Sequence, residues 1–499
     1  MNIIIGAGPA GLQMASYLEN HVVLEKSSNV CSFFRKFPRH RRFISFNKNN
    51  DLRFDWNSFL NDSSSMCEYS EELFPCADDY IRYAEDYVKR KKINVRLNYE
   101  IWKIEKINNT FIINDGEYEA QRIFIGTGLV PKKPDIIVHP SFKHFTYDNM
   151  PLDKDIYRDR NVFIIGYGNA ALETANWLMK IANKLMIFGK QNNAFDSHYP
   201  GYARSNNFSA IDAMFLKLGT FITYTNPNDT RKFRESEIYD VLKKSIETGD
   251  IPLAYPKPDI IITCTGFEYN NSLVKDLVDI DESTSFPILT ENFESTKCPG
   301  LFFIGAVTQN KDYKKGTSAF IHGFRYNCQY LQRYINGITY DILSKKDMIH
   351  RVFYQLNKSS CLLHRFDEFC DVVEKLSDGS WKYIKEVPYP QKLKDNSFTI
   401  RLGYNKCDQR YATFNVFGSM LPSWADKCAF IHPIIEFKDK NIHLPEDITN
   451  NYSTLEGHVQ FFEAFIEYFE GSKTFDELNK YIYEEATSIS SRIKEYDSL

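Results

Sequence analysis

The 499-residue sequence contains no uninterrupted apolar run of 18 residues, so it offers no stretch suited to a membrane-spanning helix. Cysteine occurs ten times, but never as C-x-x-C and never at a paired zinc spacing. That excludes a structural zinc site and a self-contained dithiol relay of the C-x-x-C kind. The scattered thiols read as buried cysteines of a reducing compartment. An excess of one charge is also missing. The formal net charge of −4 gives no long-range pull toward nucleic acid or an anionic membrane. The one dense basic stretch, Pro38-Arg39-His40-Arg41-Arg42, is short enough to serve one phosphate or carboxylate rather than a duplex. An apolar strand starts at residue 2, ahead of which no signal peptide fits, and Glu495 to Leu499 is no retention signal. The expected location is cytoplasmic.

What is present is organised from the first eleven residues. Asn2-Ile3-Ile4-Ile5 is a short apolar strand running into Gly6-Ala7-Gly8-Pro9-Ala10-Gly11, and a helical pattern follows through Leu12, Met14, Ala15 and Leu18. The first glycine permits a tight turn. The second lets backbone approach a pyrophosphate, and the third lets the helix pack on the strand. The helix start then directs its N–H groups at the phosphates. Val22-Val23-Leu24 is a second buried strand, ending at Glu25 and Lys26. Glu25 stands where a carboxylate can accept both hydroxyls of an adenosine ribose.

Residues 27–80 are polar and aromatic and dense in candidate site residues. Residues 101–125, from Ile101 onward, read as a strand meander with Asp115-Gly116 as a hairpin signal. Arg122 to Ile125 is a buried strand ending at Gly126-Thr127-Gly128, a small-residue turn that again admits a ligand to the backbone. A second strand–glycine–helix unit starts at Asn161, with Gly166, Gly168, Asn169, Ala170 and Ala171 in the turn and helix start. Ala171 replaces the third glycine. The next strand ends at Gly189-Lys190, with no acid to hold a ribose hydroxyl. Lys190 therefore favours NADPH over NADH, unless it is a surface lysine with no ligand. Residues 192–250 read as an insertion. Strands ending at Thr265-Gly266 and at Gly305 follow, and Ser318 to Tyr326 opens a helix.

The two glycine turns stand about 160 residues apart, from Gly6 to Gly166. Together they predict an α/β fold of two nested Rossmann-like domains. The first, residues 1–155 and 270–338, would bind FAD, and the second, residues 156–269, NAD(P)H. A bound flavin explains the pairing, because a nicotinamide alone does not pass its electrons to dioxygen at a useful rate. Residues 340–499 carry no glycine motif and are expected to form a mainly helical α+β C-terminal domain with a packing or protein-partner role. Within it, Phe461, Phe462, Phe465, Ile466 and Phe469 form a core stripe, and Thr474 with Glu477 forms a capping box.

With these motifs placed, the chain resembles the two-dinucleotide-domain flavoproteins, which include flavin-containing monooxygenases, Baeyer–Villiger monooxygenases and disulfide reductases. It is most similar to the ER-degradation-associated subgroup of FAD-dependent oxidoreductases. The carrying stretches are Phe37 to Lys48, Asp55 to Ser58, Ser197-His198-Tyr199, Asp312-Tyr313-Lys314 and Phe320 to Tyr326. The resemblance implies FAD at the first motif, NADPH at the second, and a helix start near Ser318 aimed at the flavin pyrimidine edge.

The leading expectation is a monooxygenase. NADPH would reduce the flavin, and a flavin C4a peroxide formed with dioxygen would oxygenate a small molecule with a nucleophilic nitrogen or sulfur. Arg42, Asn47, Trp56 and Asn57 are candidates to line a water-excluding site, with His198 facing the nicotinamide and His322 nearby. Trp56 serves core packing equally well, the two asparagines serve turns, and either histidine serves structure. The alternatives are a reductase passing electrons to a partner's disulfide and a non-catalytic FAD-binding protein. No metal site is expected.

Overall fold

The computed structural model describes residues 1–45, 47, 55–166, 168–189, 220–224, 235–253, 255–313, 316–403, 431–444 and 455–478. The chain divides into two compact units, one holding the described residues up to Cys328, the other those from Gln329 onward.

The first unit contains two parallel five-stranded sheets. In the first, the order is Leu301–Phe303, Arg122–Ile125, Asn2–Ile5, His21–Leu24, Val95–Arg96. Its strands are near-continuous apolar runs because both faces are covered. Ile3, Ile5, Ile123, Ile125, Leu301 and Phe303 build the core on one face. The meander appears as Ile104–Ile107, Thr110–Ile113 and Tyr118–Ala120, with Asp115-Gly116 in its second turn. The strand Leu301–Phe303 returns the chain to this sheet after the second sheet is complete.

The second sheet has the order Thr220–Tyr224, Lys184–Gly189, Asn161–Ile165, Ile260–Thr263, Lys143–Thr146. Two sequence expectations change here. Thr220–Tyr224 pairs with Lys184–Gly189, and the helix Glu235–Thr248 buries Leu242 and Ile246 against Phe163 and Phe188. The described parts of the supposed insertion therefore add a strand and a helix to this sheet's domain. Lys143–Thr146, placed by sequence in the first domain, pairs with Ile260–Thr263 and so belongs to the second sheet.

The expected helix at Ser318 begins at Ile321 and runs to Asn336. The delay has a local cause. The buried Asp312 carboxylate accepts from the Ser318 N–H (2.9 Å) and from the Ser318 hydroxyl, so Ser318 is held by that side chain ahead of the helix.

Among its described residues the second unit combines helix and strand in similar measure. It is built on a six-stranded antiparallel sheet, ordered Asp341–Leu343, Trp381–Pro388, Phe369–Lys375, Ser397–Gly403, His432–Phe437, Lys440–His443. Helices Lys345–Lys358 and Leu455–Phe469 accompany it. The phenylalanine stripe is core, as expected: Phe465 and Phe469 pack edge-on against Phe398 at 5.0 and 5.3 Å between ring centroids. The Phe461 side chain lies outside the described residues. The Thr474–Glu477 capping box is present in both directions. Among the described residues, no helix is long and apolar enough to cross a membrane, and no group of three or more His, Cys, Asp or Glu is placed to hold a metal ion.

Candidate functional site

The first glycine turn is dictated by close approach. Gly6 has φ +103°, and a Cβ there would lie 2.5 Å from the Gly126 carbonyl oxygen. A Cβ on Gly11 would lie 1.9 Å from the Gly6 carbonyl oxygen, where the helix Pro9–Ala15 crosses the strand. Around Gly8 and Gly128, by contrast, nothing lies within 4 Å of an added Cβ. The helix has no side-chain cap at Gly8, so its N-terminus is left for a ligand. Glu25 is buried. One carboxylate oxygen accepts from the Ala7 N–H (2.7 Å) and the other from the Ser27 N–H (2.9 Å). The carboxylate thus braces the turn, and each oxygen keeps a further lone pair for a hydroxyl. Pro9 and Ala10 are buried, and Gly305 closes on Ala10, with an added Cβ 2.9 Å from the Ala10 Cβ. Ile101 packs at the rim of the first core, while Lys26 and Thr127 are exposed.

The second turn repeats the design. Gly166 has φ +123°, and its added Cβ would meet the Cys264 carbonyl oxygen at 2.2 Å. Gly168 and Gly266 face open space, and the helix Asn169–Leu178 starts at Gly168 without a side-chain cap. Asn169 and Ala170 form its half-buried first turn, and Ala171 is buried in the core. Lys190 and His198 lie outside the described residues, as do Ser197, Tyr199 and Lys314.

The segment after the short helix Ser32–Lys36 locks the two sheets' domains together. Phe37 belongs to the core beneath the second sheet and stacks on Tyr147 at 5.7 Å. Arg39 donates to the Met150 carbonyl (2.6 Å), and His40 bonds Thr174 of the second glycine helix (3.0 Å). Arg41 pairs with Asp78 (2.6 Å) and Arg42 with Glu72 (3.5 Å). The basic cluster is thereby engaged with the protein rather than held out for a phosphate. Arg42 is largely exposed, so it lines no water-excluding site.

Two of the candidate catalytic residues, Trp56 and His322, do come together. The turn Asp55–Ser58 carries Trp56, whose indole meets the His322 imidazole at 4.6 Å between centroids, tilted by 53°. His322 is buried and also stacks on Phe320 at 5.6 Å. Asn57, fully buried, accepts a hydrogen bond from the Ser45 hydroxyl (2.7 Å). The turn sits beside the first glycine helix, because Gln13 of that helix accepts from the Leu60 N–H (2.8 Å). Asn47 does something else: its amide donates to the Ser70 carbonyl (2.6 Å) and ties two loops.

Residues 3–305 match the sequence profile described as pyridine nucleotide-disulphide oxidoreductase. The chain belongs to that family. This pyridine nucleotide-disulphide oxidoreductase family member is 28% identical to FAD-dependent oxidoreductase domain-containing protein 2 of Mus musculus, over 89% of this chain and 76% of that protein. The protein of the same name in Danio rerio is 25% identical over 77% of this chain and 66% of its own length. The uncharacterized oxidoreductase CzcO of Bacillus subtilis is 24% identical, and the match covers 67% of this chain and 99% of that protein. The chain is an oxidoreductase of that family. The residues present fit the FAD for which the Mus musculus and Danio rerio relatives are named: an uncapped helix start, open backbone at Gly8 and a braced acid at Glu25 suit a pyrophosphate and an adenosine ribose.

Two further residues were not picked out from sequence. Glu173 projects from the second glycine helix, and burial pushes its carboxyl up to about 8. An acid within the apolar pattern of that helix was the available signal. Arg325 is buried in the helix Ile321–Asn336 and grips the Asp55–Ser58 turn. A long-range contact of that kind leaves no local pattern.

Proposed function

We propose that the chain is an NADPH-dependent flavoprotein monooxygenase acting on a small molecule with a nucleophilic nitrogen or sulfur, with dioxygen as second substrate. The observation that carries this reading is the aromatic wall of Trp56 and the buried His322, next to a segment tied to the first glycine helix. Oxygen chemistry at a flavin needs such a wall, because water diverts the reaction. When bound, FAD supplies hydride acceptance and reactivity toward dioxygen that no side chain has. The chain's own residues bind and orient. The Gly6–Gly11 turn and Glu25 hold the cofactor's phosphate and ribose end, and the Gly166–Ala171 turn holds the nicotinamide nucleotide. The absence of an acid and the presence of Lys190 after Lys184–Gly189 favour NADPH, with NADH as the weaker donor.

The cysteines support oxygen as the acceptor. Burial pushes the Cys31, Cys264 and Cys328 thiols up, Cys264 to about 12. Thiols held protonated attack disulfides poorly. The family's own description favours the second reading, a reductase whose electrons reach a partner protein's disulfide. In that case the C-terminal unit is the natural partner contact.

The experiment is NADPH oxidation under isotopically labelled dioxygen with a thioether or a tertiary amine. Label in the sulfoxide or N-oxide, in proportion to NADPH consumed, is expected. Anaerobic reduction of a protein disulfide at the same rate, with no label in any product, would replace the first reading with the second.

A further inference from the structure

One buried arginine ties the candidate site to the helix behind it. Arg325 is 1% exposed and stands one turn after His322 in the helix Ile321–Asn336. Its Nη1 donates to the Ser58 carbonyl at 2.5 Å, and its Nη2 donates to the Asp55 carbonyl. The two carbonyls bracket Trp56 and Asn57. The same turn is held from inside by the Asp55 carboxylate. Its Oδ1 accepts from the Asn57 N–H (2.8 Å) and the Ser58 N–H (2.7 Å), and its Oδ2 from the Ser58 hydroxyl (2.5 Å) and the Ser65 hydroxyl (3.0 Å). Asp55 is itself buried, so a guanidinium and a carboxylate share one desolvated network with the turn between them.

The consequence is geometric. His322 and Arg325 project from one face of one helix, three residues apart. The first meets the Trp56 ring, and the second fixes the backbone on both sides of it. The planar fork of a guanidinium can hold two carbonyls at once, which an ammonium cannot. We propose that Arg325 is a positioning residue for the oxidoreductase: it sets the Asp55–Ser58 turn so that the Trp56 indole is presented against His322, and so shapes the substrate side of the site. This rests on the reading of that wall as the substrate wall.

The test is a double-mutant cycle of R325K and W56F. In R325K, KM for a thioether substrate is expected to rise about tenfold with a smaller fall in kcat, as for a displaced binding wall. In the W56F background, R325K should add little, because the group it positions is already altered. Acrylamide quenching of Trp56 emission, taken as the difference from W56F, should increase in R325K. Equal effects of R325K with and without Trp56 would overturn the proposal, as would unchanged quenching. Should R325K fail to fold, D55N loosens the same turn from the other side and must give the same non-additivity. If no thioether or amine is oxygenated at all, the proposed reaction fails, while the quenching measurement still decides the role of Arg325.

Discussion

His40 donates to Thr174 across 3.0 Å, and the direction of that bond is fixed by its neighbour. The Thr174 hydroxyl spends its own proton on the Ala170 carbonyl at 2.6 Å, so the imidazole Nε2 carries the hydrogen. Burial, with Arg39 and Lys154 adding positive charge, pushes the imidazole down to about 4. The ring also lies 5.1 Å from Trp177. A neutral histidine thus pins the segment after the first domain's second strand to the second glycine helix.

A depressed histidine makes stability fall on the acid side. The unfolded chain takes up a proton near pH 6.5, the folded one only near pH 4. The contribution is complete above pH 6.5 and is lost as pH drops toward 4, amounting to roughly 3 kcal/mol at most. His40→Gln keeps a donor for Thr174 and removes the titration. Thermal melts of the two proteins at pH 7 and pH 4.5 should converge on the acid side. Parallel melting curves across that window would show that His40 is not held neutral.

Glu173 has the opposite sign. Its carboxyl is held up to about 8 by burial, against an ordinary value of 4.5. The folded state keeps a proton that the unfolded state has released, so stability declines as pH rises from 4.5 to 8. Glu173→Gln should therefore melt at the same temperature as the parent near pH 4.5 and higher at pH 8, by an amount on the order of a few kcal/mol. A variant that gains nothing at pH 8 would mean that the carboxylate is ionised in the fold.

Both glycine turns are legible in the sequence because they combine a buried strand, a forbidden Cβ and a helix start within eleven residues. The rest depends on contacts between distant segments. Nothing around Arg39 to Arg42 announces that Met150, Thr174, Asp78 and Glu72 will take up those side chains. Asn47 looks like a site residue until Ser70 is folded against it. The C-terminal sheet is hidden for a different reason. Asp371, Thr399, Arg401 and His432 occupy buried strand positions, so the apolar alternation that marks a strand is broken where the sheet is most enclosed.

Asp371 also yields a measurement on that unit. It is fully buried, and accepts from the Tyr383 hydroxyl and the Glu386 N–H, each at 2.6 Å. Burial, then the Glu386 charge, pushes it up to about 7. Raising the pH from 5 to 8 should weaken the C-terminal unit, and Asp371→Asn should remove that loss, since an amide can donate to the Tyr383 oxygen and still accept from Glu386. Hydrogen exchange of residues 369–388 at the two pH values reads this directly. Equal protection at both would contradict a carboxyl that is protonated in the fold.

The two glycine turns can be separated by the same substitution made twice. Alanine at Gly6 drives a Cβ to 2.5 Å from the Gly126 oxygen, and alanine at Gly166 drives one to 2.2 Å from the Cys264 oxygen, each at a φ that L-residues rarely adopt. The neighbours are backbone atoms and have no rotamer to yield with. Gly6→Ala should emerge with little bound FAD, its affinity lowered tenfold or more, about 1.4 kcal/mol at least. Gly166→Ala should retain FAD, accept electrons from dithionite, and lose reduction by NADPH by a similar factor. Absorbance of the purified proteins gives the first result, and anaerobic rapid mixing with NADPH the second. If Gly166→Ala lost its flavin while Gly6→Ala kept it, the assignment of the two nucleotides to the two turns would have to be exchanged.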